Sequence, residues 1–180
     1  AGPDFMVAVG DKGTILQWNG QTWSAMASPV ASPLRAVWGR SAKDIYAVGD
    51  GGTIVHFDGQ RWAQQMSGTQ RNLRGVHGNL SSAMAVGEWG TVLTQADGRW
   101  MPMPLPSQPT LNAIALDDNG RGVAVGEMGA LLEYDGLTWV ANASGTGQGL
   151  LTVARFGPGW VAAGREGTVI ARESAVWVKK

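Results

Sequence analysis

Short apolar runs return along the chain at a nearly constant interval, each interrupted by glycine at the same places. The stretch Ala8 to Trp23 (AVGDKGTILQWNGQTW) recurs from Ala47 to Trp62, Ala85 to Trp100, Ala124 to Trp139 and Ala162 to Trp177, at offsets of 39, 38, 39 and 38 residues. Every copy carries a first glycine (Gly10, Gly49, Gly87, Gly126, Gly164), a second three residues later, and a tryptophan ten residues after that. Repeats of this length and regularity announce a stacked or radial architecture.

Within a copy, the Ala-Val-Gly segment and the β-branched run that follows it, such as Thr53-Ile54-Val55-His56-Phe57, read as strands. Asn-Gly and Asp-Gly pairs supply the turns between them. No 11-residue window free of glycine shows a helical apolar stripe, which argues against helical repeats of similar length. Upstream of every copy but the first lies another apolar segment: 34–38, 73–77, 111–116 and 150–155. Each unit therefore predicts four antiparallel strands, A to D, with the repeat tryptophan opening D.

One such sheet cannot bury both of its faces, whereas copies arranged radially cover each other. The expected fold is all-β, a five-bladed β-propeller of 38–39-residue, four-stranded repeats in a single domain. The blades are expected at 1–27, 28–66, 67–104, 105–143 and 144–180. Five full repeats need about 192 residues, and the chain has 180. The shortfall falls on the innermost strand of blade 1, because Phe5 to Val9 already matches strand B. This predicts nineteen strands, with a three-stranded first blade in a monomer, or with the missing strand lent by another chain of an oligomer or by a lost N-terminal segment.

Composition then narrows function. The 14 basic and 14 acidic side chains balance, which removes the general electrostatic pull of nucleic-acid and anionic-membrane binders. Without cysteine, disulfides, thiolate nucleophiles and zinc-thiolate sites are excluded. No apolar run reaches the length of a membrane helix, and the opening Ala-Gly-Pro-Asp-Phe lacks signal-peptide character, so the chain reads as a mature or trimmed soluble product. No cofactor or metal is expected: phosphate-loop, serine-elbow and zinc motifs are absent, and His56 and His77 have no metal-ligand spacing.

The segments Phe57-Asp58-Gly59-Gln60-Arg61-Trp62 and Tyr134-Asp135-Gly136-Leu137-Thr138-Trp139 resemble a shortened sialidase-type Asp-box. Together with Val-Gly-Asp-x-Gly-Thr-Ile, the unit is similar to the repeats of the Ycf48-type photosystem II assembly factors and of related bacterial propellers. The resemblance implies a propeller fold and a secreted or periplasmic setting. The chain departs from that family in having fewer repeats, and its fifth copy, Arg172-Glu173-Ser174-Ala175-Val176-Trp177, has lost the box.

Positions identical in every copy are explained by architecture, so candidate sites are those that differ between copies on one face of the ring. The turns between strands B and C carry Asp11, Asp50, Glu88 and Glu127, then Arg165. These carboxylates either accept the N–H groups of their own turns or form a binding ring. At the next position Lys12, Gly51, Trp89, Met128 and Glu166 vary freely, and Trp89 is the candidate anchor for a partner. Strand A, expected to line the channel, offers Arg35, Arg74 and Asn112, then Trp38 and His77. The arginines either bind an anion or polyol, or neutralise the acidic turns. Asp117-Asp118-Asn119-Gly120 reads as a plain turn rather than a calcium loop. The favoured function is a non-enzymatic scaffold or protein-binding module. Alternatives are a glycan-binding lectin-like propeller, an engineered or excised fragment without native function, and last a glycosidase remnant.

Overall fold

Alternating in-out patterns of valine, isoleucine and alanine between glycine turns produce nineteen strands among the described residues of a computed structural model, which describes residues 4–173 and 176–180. Blade 1 holds β1 (Met6–Val9), β2 (Ile15–Trp18) and β3 (Trp23–Ala25); blade 2 holds β4 (Leu34–Ser41), β5 (Asp44–Gly49), β6 (Ile54–Phe57) and β7 (Trp62–Gln65). Blade 3 comprises β8 (Leu73–Gly78), β9 (Ala83–Gly87), β10 (Val92–Ala96) and β11 (Arg99–Pro102). In blade 4 are β12 (Leu111–Leu116), β13 (Gly122–Gly126), β14 (Leu131–Tyr134) and β15 (Trp139–Ala141). Blade 5 closes the series with β16 (Leu150–Phe156), β17 (Gly159–Gly164), β18 (Val169–Glu173) and β19 (Val176–Lys179). Each sheet is an antiparallel meander in chain order, four strands in blades 2 to 5 and three in blade 1. The architecture is a five-bladed β-propeller whose first blade lacks strand A. The degenerate box at Ser174-Ala175 lies outside the described residues. No helix among the described residues is long and apolar enough to cross a membrane.

Blade-to-blade packing repeats one arrangement. The face that blade 2 turns forward, with Tyr46, Val48 and Ile54, meets Ala85, Leu93 and Trp100 of blade 3, and all six are buried. Equivalent clusters join blades 1 to 2, 3 to 4 and 4 to 5. The repeat tryptophans lie at these junctions, Trp62, Trp100, Trp139 and Trp177 being 5–8% exposed. Three of the indoles also satisfy their N–H groups across the junction. Trp100 Nε1 donates to Gln65 Oε1 at 2.8 Å, Trp177 Nε1 to Glu133 Oε1 at 2.7 Å and Trp62 Nε1 to the Met26 sulfur at 3.4 Å. Among the described residues no apolar cluster joins blade 5 to blade 1, and Trp23, which fills the corresponding position in blade 1, is 46% exposed.

The fixed glycines have a steric cause. The turn between B and C holds two successive residues at positive φ, the second always glycine (Gly13, Gly52, Gly90, Gly129, Gly167, φ 66–71°). In blades 1, 2 and 4 the connector to the next blade runs directly over this glycine, and a Cβ there would collide with the carbonyl of Val30, Thr69 or Thr146. The connectors and the B-to-C turns therefore share one face of the molecule, here called the upper face.

Candidate functional site

The upper face is built from five copies of the same turn, each closed internally by its own backbone. The residue at its end donates its N–H to the carbonyl of the first residue, as in Thr53 N to Asp50 O at 3.2 Å, and the threonine hydroxyls reinforce this where present. With the turn closed in this way, the leading carboxylate meets strand A, which presents arginine or asparagine.

Of the two alternatives for these carboxylates, no bond to an N–H of their own turns occurs among the described residues; Asp50 and Glu88 pair with the arginine of their own blade, Asp11 and Glu127 with that of a neighbouring blade. Arg35, on β4, donates from Nη2 to Asp50 at 2.6 Å and from Nη1 to Asp11 of blade 1 at 3.2 Å. The bidentate contact with Arg35 holds the Asp50 carboxyl below its ordinary range, burial opposing it only partly, while the same hydrogen bond raises Arg35. Arg74, on β8, reaches Glu88 at 2.8 Å, the Asn112 side-chain carbonyl at 2.8 Å and Glu127 of blade 4 at 3.6 Å. Asn112 passes the linkage on, donating to Glu127 at 3.2 Å and to the Leu150 carbonyl of blade 5 at 2.9 Å. Arg165 approaches Glu127 from blade 5 at 3.8 Å.

Blades 2 and 3 are bridged by Asn72, whose side-chain oxygen accepts the Gly51 N–H at 2.9 Å and whose amide donates to Glu88 at 3.3 Å. Asn72 was not among the sequence candidates, and neither was the connector serine that organises three of the four crossings. Ser28, Ser67 and Ser144 each donate to the carbonyl two residues on, at 3.0–3.1 Å. Their placement at equivalent positions of three copies was a signal available to internal comparison.

Trp38 and His77 lie farther along strand A, with ring centroids 5.7 Å apart. His77 Nδ1 accepts the Leu116 N–H at 3.1 Å, which fixes it as the neutral tautomer protonated on Nε2, and burial lowers its pKa. Both rings are thus packed between strands rather than presented to the upper face. Asp117 accepts N–H groups from Asn119 and Arg121, both at 2.9 Å, so Asp117-Asp118-Asn119-Gly120 is a self-closed turn.

Against this polar belt, two apolar side chains of the turns themselves stand in solvent, and Met66 at the start of the connector after β7 is exposed as well. Trp89, in the turn of blade 3, is 65% exposed, and Met128, at the equivalent position of blade 4, is 86% exposed. Both adopt φ of 55°, a left-handed conformation that Gly51 fills in blade 2. The Trp89 carbonyl accepts a hydrogen bond from Arg71 Nη1 at 2.7 Å, which anchors the turn. Arg71 also went unnoticed in the sequence. A cleft of about 1170 Å³ beside blades 4 and 5 includes Tyr134, Phe156 and Trp160. Two of the cations that line it are engaged, Arg155 with Asp117 at 2.8 Å and Arg172 with Glu133 at 2.9 Å. Among the described residues no cluster of metal-ligating side chains occurs.

Fold and upper face together define a β-propeller with a charge-paired rim and a small apolar prominence. No protein-family model and no curated protein matches the sequence. Solved structures do match in fold. "YCF48 bound to D1 peptide" superposes with a TM-score of 0.73 at 18% identity, over 98% of this chain and 63% of that one. YCF48 from Cyanidioschyzon merolae gives 0.72 at 16% identity, over 98% and 69%. The computationally designed Ika8 protein gives 0.75 at 18% identity, over 93% and 55%. The chain is thus similar to Ycf48-type propellers in fold, and spans 63% of the length of the first of these neighbours.

Proposed function

We propose that this propeller is a non-enzymatic scaffold that binds a protein partner on its upper face, with Trp89 and Met128 as the contact. The observation that carries the reading is the pair of bulky apolar residues held in solvent at φ 55°. An L-residue in the left-handed region costs about 1 kcal/mol relative to glycine, and Gly51 occupies the same turn without that cost. Neither side chain closes the turn, since its hydrogen bonds are backbone and threonine. The belt of Arg35, Arg74, Asp50, Glu88 and Glu127 leaves little unpaired charge for an anionic ligand, and Arg71 anchors the Trp89 turn. The neighbour described above, YCF48 bound to D1 peptide, supports peptide recognition as a use to which this fold is put.

Selection of peptides from a random displayed library against the purified chain, followed by titration of the winners against Trp89→Gly, tests the proposal. Selected peptides are expected to lose at least tenfold in affinity while the variant melts no lower than the parent. Peptides indifferent to Trp89→Gly and Met128→Gly would overturn it. A glycan panel run in parallel decides against the lectin reading unless saturable sugar binding shows the same dependence.

A further inference from the structure

One position near the end of each outer strand can supply a hydrogen-bond acceptor to the tryptophan of the next blade. It lies three residues after the repeat tryptophan and is filled by Met26, Gln65, Met103 and Asn142. The backbone holds it alike in blades 1, 3 and 4, where Met26, Met103 and Asn142 donate their N–H groups to Ile15, Val92 and Leu131 at 2.9 Å. In blade 2, Gln65 stands opposite the equivalent Ile54. From this position the Met26 sulfur accepts the Trp62 N–H at 3.4 Å, and Gln65 Oε1 accepts that of Trp100 at 2.8 Å. The junction between blades 3 and 4 breaks the series. Trp139 is 5% exposed, and its Nε1 is buried with no hydrogen-bond partner among the described residues. The residue at the acceptor position there is Met103, half-buried against the apolar cluster that contains Trp139.

We propose that Met103 is a site of reversible oxidation by hydroperoxides, at which the sulfoxide oxygen accepts the Trp139 N–H and completes the junction. A buried N–H without a partner weakens the fold, and a thioether is too weak an acceptor to answer it well. A sulfoxide at the same place offers a polar oxygen, as Gln65 does for Trp100. In the step itself a sulfur lone pair attacks one peroxide oxygen, and the S–O bond forms as the O–O bond breaks. The second oxygen takes up the proton of the first and leaves as water or an alcohol. The sulfur loses two electrons and the hydroperoxide gains them; a methionine sulfoxide reductase restores the thioether. An oxidant has a way in, because a cleft of about 240 Å³ beside the connector from blade 2 to blade 3 is lined by Met103 together with Pro102, Thr69 and Arg71. The other methionines lack this combination. Met84 is 3% exposed, the Met26 sulfur is already engaged by Trp62, and Met6, Met66, Met101 and Met128 lie 44–91% exposed, where a sulfoxide meets water. Oxidation ordinarily disrupts a packed methionine, and at Met103 it instead supplies the missing acceptor. The upper-face reading is not needed for this inference.

Peroxide treatment of the intact chain tests it, in a background of Met6→Leu, Met66→Leu, Met101→Leu and Met128→Leu. Mass-spectrometric peptide mapping follows Met103, and melting compares reduced with oxidised protein, with Trp139 intact and in Trp139→Phe. Met103 is expected to oxidise in the folded chain without lowering the melting temperature, whereas in Trp139→Phe the same oxidation lowers it by a few degrees. The Trp139 indole N–H resonance should move downfield and exchange more slowly on oxidation, and Met103→Gln should reproduce both changes without peroxide. If Trp139→Phe fails to fold, that resonance decides alone. A Met103 that stays reduced until the chain unfolds overturns the proposal. So does oxidation that lowers melting equally with and without the Trp139 N–H, or an indole resonance that does not move, since either makes the sulfoxide an ordinary lesion.

Discussion

A matched pair of glycine substitutions separates the backbone cost of the repeat turn from the cost of crowding its connector. Gly129 and Gly167 occupy equivalent turns in blades 4 and 5, at φ of 71° and 69°. Gly129 lies under the connector, where a Cβ would collide with the Thr146 carbonyl oxygen and meet Ser144 Oγ at 2.9 Å. Around Gly167 nothing lies within 4 Å. Alanine at either position incurs the left-handed penalty of about 1 kcal/mol. At Gly129 the Thr146 carbonyl must also retreat, and it is held by the Ser144 hydroxyl at 3.1 Å in a connector tied to blade 5 by Arg165 N to Gly149 O at 2.9 Å. Overpacking of this kind adds about 1–3 kcal/mol. The expected destabilisation is thus about 1 kcal/mol for Gly167→Ala and about 2–4 kcal/mol for Gly129→Ala. Urea unfolding followed by tryptophan fluorescence measures both. Equal losses, or a larger one at Gly167, would refute the view that connector crowding accounts for the second glycine.

Removing the guanidinium in Arg74→Ala leaves Glu88 and Glu127 facing each other across blades 3 and 4. It should cost about 1–2 kcal/mol, an effect that shrinks as salt is raised in the same urea titration. Trp100→Ala, which empties a buried junction site and strands the Gln65 carbonyl, should cost about 3–5 kcal/mol, whereas Trp23→Ala should cost less than half as much in dilute monomer by the same assay. Melting temperature should be flat between about pH 7 and 9, fall above about pH 10 where burial holds Tyr46 and Tyr134 neutral, and fall on acidification in two stages. His77, whose pKa burial lowers from the ordinary 6.5, favours the fold fully above that value and loses its contribution as falling pH protonates Nδ1, the atom that accepts the Leu116 N–H. Asp50, Asp58 and Asp135, all lowered from 3.8, favour the fold above that pH and lose their contribution below it. His77→Gln should erase the first stage and keep the second, as differential scanning fluorimetry across pH would show.

The strands, their order and the shared face of turns and connectors were legible because one constraint recurs in every copy. Two glycines three residues apart fix where β5 ends and β6 begins, and the register of Ile54 opposite Val48 follows. Arg35, Arg74 and the acidic turns were recognisable as one neighbourhood for the same reason. Their pairing was less legible, because a turn carboxylate has two outlets, and which one it takes depends on whether the turn is already closed by its own backbone. Thr53 and Thr91 close it, and that competition is three-dimensional. Asn72 escaped notice because its role spans two copies. Its oxygen serves Gly51 while its amide serves Glu88, so no single repeat displays its purpose.

The polar belt also bears on what the upper face can recognise. Arg35, Asn72, Arg74, Asn112 and Arg165 link neighbouring blades in succession, so a ligand seeking any of these charges must first break a bond between blades. Each such group offers a ligand only the difference between a new ion pair and an existing one, which is small at a solvent-exposed rim. Trp89 and Met128 carry no such debt, since both are surrounded by water and their turns are held by other atoms. A partner bound as proposed would therefore draw its binding energy from covering apolar surface, with the ion pairs fixing where that surface stands. A partner chosen on these terms would be held with little sensitivity to salt, the reverse of what five acidic and basic turns in a ring imply when read as isolated charges.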